Sequence, residues 1–142
     1  MPVGGSRTYK LCLSDAGLDQ FLACHARLGT ITRELVPYGA TLFVALWVAD
    51  RLSAADLAAE LTGSRCTDLV GRLVRYVGFT GHLGDLTSRT CERLVGSGVV
   101  SRPPRVNRIY AVGIRCLSTA EEVEVNLAYE HLRAVRGHRE GL

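Results

Sequence analysis

Thr41-Leu-Phe-Val-Ala-Leu-Trp-Val-Ala49 carries no charge, Thr41 is its only polar residue, and Asp50 and Arg51 close it. The run is far shorter than the ~20 apolar residues a helix needs to cross a bilayer. A helix with no polar stripe is normally surrounded by protein. The stretch therefore predicts a buried central helix, from about Gly39 to Asp50, on which the other elements pack.

Reading towards the amino end, Pro37 biases Val36 away from helical geometry and predicts a break there. Before it, Leu18, Phe21, Leu22, Cys24 and Leu28 give a helix its apolar face, with Ser14 or Asp15 as cap. Thr30 starts a further turn. Thr8 to Leu13 alternates in part and reads as a short strand. Reading towards the carboxyl end, Ser53 caps a short helix whose buried side is Leu57, Ala58 and Leu61, and Asp56 stands where a capping box places its acid. Cys66, Leu69, Val70, Leu73, Val74 and Val77 then recur at helical spacing and predict a helix over 65–77. A loop over 78–84 and a helix from Asp85 or Thr87 to Val95 follow. Val99-Val100 and the β-branched and aromatic run 108–116, separated by Pro103-Pro104, predict a hairpin with a basic tip. Ser118-Thr-Ala-Glu121 reads as a capping box that opens a last helix to about Val135, with Val125, Leu127, Ala128, Leu132 and Val135 as its apolar contacts.

The 142 residues suit one domain, with 1–7 and 137–142 as loose tails. The expected fold class is mostly α with a small antiparallel β-sheet. Its alternative is an all-helical bundle around the central helix 40–50. Net charge is +3, and of the 17 basic residues all but Lys10 are arginine, the side chain better suited to phosphates and base edges. Five cysteines, an odd number with no Cys-x-x-Cys, predict buried free thiols and a reducing, intracellular setting, cytoplasm and nucleus being undistinguished. No signal peptide or membrane span is read.

Leu52-Ser-Ala-Ala-Asp-Leu-Ala-Ala-Glu-Leu61, the turn Thr-Gly-Ser-Arg65, and Cys66 to Val74 resemble the helix-turn-helix of winged-helix DNA-binding domains. Arg93 to Arg102 and Asn107 to Val112 resemble the end of a recognition helix and its wing. The resemblance covers residues 41–116. It implies duplex DNA as partner, with a recognition helix either at 65–77 or at 86–95. Arg65, Arg72 and Arg75, or Arg89 and Arg93, would then face the groove. Arg102, Arg105, Arg108 and Arg115 on the hairpin would meet phosphates, with no acidic residue from 93 to 120. The apolar central helix also resembles the layout of Bcl-2-like proteins, with 69–81 in place of their groove region, which implies a helical adaptor that receives a partner helix.

Catalytic motifs are missing from the pattern. Gly78-Phe-Thr-Gly-His-Leu-Gly84 lacks the lysine and context of a phosphate loop, and there is no nucleophile elbow. Cys66, Cys91 and His82 would need to converge to hold a metal, and a Cys24 or Cys91 nucleophile would need His25 or His82 beside it. The reading is therefore a non-enzymatic nucleic-acid-binding or regulatory protein without cofactor. It is expected to be dimeric through its first or last helix, with Phe43 and Trp47 as core residues or as a seam.

Overall fold

The computed structural model describes residues 5–140, and the side chains of residues 5–136. The elements are β1 (Ser6–Leu13), α1 (Asp15–Thr32), α2 (Tyr38–Asp50), α3 (Ala54–Thr62), α4 (Ser64–Thr67), β2 (Leu73–Thr80), α5 (Gly81–Gly96), α6 (Val106–Thr119) and α7 (Glu122–Glu140). The fold is mostly helical with one two-stranded antiparallel sheet, in register from Ser6 opposite Thr80 to Leu13 opposite Leu73. The expected fold class holds at that level. Of the expected loose tails, residues 1–4 and 141–142 lie outside the described residues, Arg7 already pairs with Phe79, and α7 runs to Glu140.

The uncharged run does form a central helix. Pro37 supplies a φ of −69° before it, and the Ala40 N–H donates to the Pro37 carbonyl. From Gly39 to Ala49 every residue of α2 is buried except Trp47, which is partly so. Neighbours enclose it on all sides: α1, α5, α6, α7 and β2 each pack on α2. Burying a hydroxyl without a partner costs about 1–3 kcal/mol, and Thr41 avoids this through a 2.8 Å contact between its Oγ1 and His25 Nδ1. Two glycines allow close approach to or by α2. A Cβ on Gly113 of α6 would stand 3.0 Å from Leu46 Cδ2 and 3.1 Å from the Ala45 carbonyl carbon. A Cβ on Gly39 would stand 2.3 Å from the Gly78 carbonyl oxygen of β2.

The caps read near the amino end are present. The Ser14 hydroxyl accepts from the Gly17 N–H at 3.0 Å, and that of Ser53 from the Asp56 N–H at 3.1 Å. Four expectations are corrected. First, no helix runs from 65 to 77: α4 stops at Thr67, and Leu73 to Thr80 is a strand. There Val77 and Phe79 alternate inward opposite Tyr9 and Arg7. Second, α5 starts at Gly81, so Asp85 and Thr87 are inside it and the Thr87 hydroxyl donates back to the Leu83 carbonyl. Third, no hairpin occupies 99–116; Val106 to Thr119 is helix α6, buried from Ile109 to Ile114. Fourth, Ser118 and Thr119 end α6 instead of capping α7. The Ser118 hydroxyl donates to the Arg115 carbonyl at 2.6 Å, and Leu127 is exposed while Val125, Ala128 and Leu132 are buried.

Gly39→Ala is expected to destabilise the protein by about 1–3 kcal/mol or more, because the added methyl meets backbone. Gly96→Ala, at a site with nothing within 4 Å, is expected to be neutral within about 0.5 kcal/mol. Urea unfolding midpoints for the two variants check this pair.

Candidate functional site

The arginines divide into two sets. The first set is spent inside the molecule. Arg93 Nη2 donates to the Asp50 carbonyl at 2.8 Å and lies 3.4 Å from the Asp50 carboxylate, which also accepts from Thr90 at 2.8 Å. α5 is thereby pinned to the end of α2. Arg108 Nη1 donates to the Leu61 carbonyl at 2.9 Å and satisfies an orphan acceptor at the end of α3. Arg115 Nε lies 3.4 Å from Glu60 Oε2, an ion pair without a hydrogen bond. Arg27 donates to the Leu117 carbonyl at 2.9 Å and to that of Ala120, so a cation stands at the negative end of α6. The Arg51 guanidinium lies 4.8 Å from the Trp47 ring centre, with His131 5.7 Å from the same ring. Phe43 and Trp47 are therefore packed against α7 rather than forming an open seam.

The second set is exposed. Arg65, Arg72, Arg102 and Arg105 make no ion pair or hydrogen bond among the described residues, and Lys10 joins them. Arg75 folds back on the Val74 carbonyl at 2.8 Å, and Arg89, largely exposed, lies 3.7 Å from Asp50. Of the nine arginines expected to bind nucleic acid, Arg93, Arg108 and Arg115 are thus structural. Sequence reading could not separate them, because their partners are backbone carbonyls or residues distant in the chain. Lys10 escaped notice in a short strand; its signal was the absence of any carboxylate in residues 1–14 and 69–84, which hold both strands.

Arg7, Arg33 and Arg133 are likewise exposed and make no side-chain hydrogen bond or ion pair among the described residues. Arg65, Arg72, Arg102 and Arg105, however, lie on segments that meet at one corner, with Lys10 on the adjoining strand. The Cys12 N–H of β1 donates to Asn107 Oδ1 of α6 at 3.0 Å. The Cys66 thiol of α4 donates to the Arg108 carbonyl at 3.5 Å. The Ser14 N–H and hydroxyl donate to the Leu69 and Asp68 carbonyls at 2.9 and 2.6 Å, tying the end of the sheet to α4. The start of α6 projects here without a side-chain cap, after Arg102-Pro-Pro-Arg105. Asp15 and Asp68, both exposed, are the carboxylates on these segments.

Elsewhere, all five cysteines are unbridged. Burial pushes the Cys24 thiol up to about 11 despite the nearby Arg27, and burial with the Glu60 charge does the same for Cys116. Burial also raises Cys66 and Cys91, and lowers His25 below its ordinary value. No group of three or more His, Cys, Asp or Glu residues among the described ones is placed to hold a metal ion. Between α1 and β2 lies an apolar groove of about 270 Å³ lined by Leu11, Leu18, Phe21, Leu22, Tyr38 and Val77, with Arg75 and Tyr76 at its strand side.

Two outcomes follow from this division. Arg108→Ala is expected to lower stability by about 1–2 kcal/mol by orphaning the Leu61 carbonyl, whereas Arg105→Ala stays within about 0.5 kcal/mol; chemical denaturation distinguishes them. At pH 8 the raised pKa values lower the thiolate fraction of Cys24 and Cys116 about a hundredfold, so both should alkylate at least that much more slowly in the folded chain than in urea, by mass spectrometry. Equal rates would show that these thiols are open to solvent. No protein-family model, no curated protein and no solved structure matches this chain.

Proposed function

We propose that this is a non-enzymatic nucleic-acid-binding protein that contacts phosphates through Lys10, Arg65, Arg72, Arg102 and Arg105. The observation that carries the reading is the division of the arginines. Many guanidinium groups around the core are consumed by carbonyls, carboxylates and rings. These five cations, like the exposed Arg7, Arg33 and Arg133, make no side-chain hydrogen bond or ion pair among the described residues, and Arg65, Arg72, Arg102 and Arg105 lie on segments that meet at one corner. Cations kept together against their mutual repulsion suit a polyanion, whose condensed counterions are released on binding.

Local chemistry fits phosphate. The first N–H groups of α6 have no side-chain cap, and a helix start is a favourable place for an anion. Pro103 and Pro104, between Arg102 and Arg105, fix φ at two successive positions of the loop that presents both arginines. Both arginines therefore lose less conformational freedom on binding than on a flexible tether. This reading needs no β-wing: contacts expected from a hairpin are taken by the loop before α6, and the arginines of a recognition helix over 65–77 by α4 and the turn after it. The site offers backbone contacts, which fix position without reading sequence.

The test is binding of labelled duplex and single-stranded DNA across a salt series. Its comparison variant is Arg65→Ala/Arg102→Ala/Arg105→Ala, which spares the structural arginines. Affinity should fall steeply with salt, and the triple variant should bind more weakly with a log–log salt slope shallower by about 2–3. No binding of either probe by folded protein at ~50 mM salt would overturn the reading.

A further inference from the structure

Leu35 is 103% exposed, as open to water as in an extended peptide. It stands in the corner between α1 and α2, where Arg33 takes a left-handed conformation with φ of 59° and the Glu34 N–H turns back to the Gly29 carbonyl. The backbone at this corner is therefore fixed, and the leucine is held out rather than left loose. Three residues on, Tyr38 is itself half exposed, tilted against His25 with ring centres 4.3 Å apart, and forms one wall of the apolar groove between α1 and β2. Leu35 and His25 border one depression, and Tyr38, whose ring lies against His25, borders the groove. A protruding leucine and a recess large enough for one thus adjoin through these two rings, Leu35 and Tyr38 being within about 10 Å along the chain.

We propose that this surface is a two-fold interface between two copies of the chain, in which Leu35 of each copy enters the α1–β2 groove of the other. Two-fold symmetry requires a self-complementary patch, in which a knob meets a hole and the hole meets the knob. Here knob and hole flank Tyr38, so an axis beside that ring serves both contacts. The groove of about 270 Å³ has ample room for a leucine side chain.

The exposed area agrees with this occupant. Among the described residues ten large apolar side chains are exposed, and four of them belong here: Leu22, Tyr38 and Tyr76 line the groove and Leu35 stands at the adjoining corner. They make an apolar patch of a few hundred Å², on the order of the largest that a monomer leaves open. Covered on both copies, a patch of that size approaches the ~1,000 Å² expected of a specific interface. Lys10 aside, the cations proposed to meet phosphate lie on α4, the turn after it and the approach to α6. Lys10 stands opposite Tyr76 in the sheet and so borders both surfaces. The triple variant Arg65→Ala/Arg102→Ala/Arg105→Ala leaves the interface residues untouched, so failure of nucleic-acid binding and failure of dimerisation are distinguishable.

Sedimentation equilibrium over ~1–100 µM tests the proposal, with Leu35→Asp as the knob variant and Leu22→Arg as the hole variant. Both positions are exposed, and circular dichroism checks that each variant is folded. The wild type should dimerise, and each variant should weaken the dimer by at least about 100-fold. Mixing Leu35→Cys with Leu22→Cys should give an oxidised heterodimer faster than either variant mixed with wild type. A wild type that stays monomeric at ~100 µM, or a dimer indifferent to Leu35→Asp, overturns the proposal.

Discussion

A helix that offers water no polar face has to be enclosed, and the arrangement of this molecule follows from enclosing α2. Five elements share its surface, so none of them can shift without uncovering apolar area. Each fully buried leucine or valine left bare would forfeit about 1.5–3 kcal/mol. The enclosure also decides where polar groups are tolerated. Thr41 lies within the helix only because His25 reaches it from α1, and burial in turn favours the neutral form of that imidazole. Asp50, where the chain leaves the core, collects Thr90 and Arg93 from α5. The helix thus has an apolar body and polar anchor points where α1 and α5 meet it.

An arginine-rich chain uses one residue type for two incompatible jobs. A guanidinium offers five donors in a fixed fork and keeps its charge when half buried. It can therefore staple α3 to α6 through the Leu61 carbonyl, or close the end of α6 through Arg27. The same group left in water becomes a long-range attractor for anions. Which job an arginine takes is decided by whether the fold brings an orphan carbonyl or carboxylate within reach, a tertiary property. Charge counted along the sequence therefore overstates the functional patch, since the apparent cluster 93–115 loses Arg93, Arg108 and Arg115 to structure.

The same distinction explains which elements were legible in the sequence. α2, α1, β1 and α3 announce themselves by a hydrophobic run, an amphipathic stripe, an alternation and a serine cap, all local signals. β2 did not, because Leu69, Val70, Leu73, Val74 and Val77 satisfy helical spacing as well as strand alternation. The choice was made by pairing with β1, some 65 residues earlier. α6 was misread for the opposite reason. Ile109, Tyr110, Val112 and Ile114 are β-branched or aromatic and suggest a strand, although Val106, Ile109, Tyr110, Gly113 and Leu117 recur at helical spacing. Its 14 residues are a better guide than its composition. The unpaired cations were only half legible: Arg65, Arg72, Arg102 and Arg105 could be named, but their meeting with the sheet depends on the Asn107 contact to Cys12.

That contact has a further effect. A sheet of two strands is all edge, and open edges invite strand-by-strand growth into aggregates. Here each side is obstructed by a different device. Asn107 occupies the hydrogen-bonding position at Cys12 that an incoming strand would need along β1. On β2, the Arg75 guanidinium takes up the Val74 carbonyl, and the start of α2 presses Gly39 against the Gly78 carbonyl. The sheet is consequently protected from templating fibrous assembly although it is neither closed into a barrel nor flanked by further strands. Substitutions that free Asn107 or Arg75 from these positions would remove a safeguard against aggregation before they removed much stability.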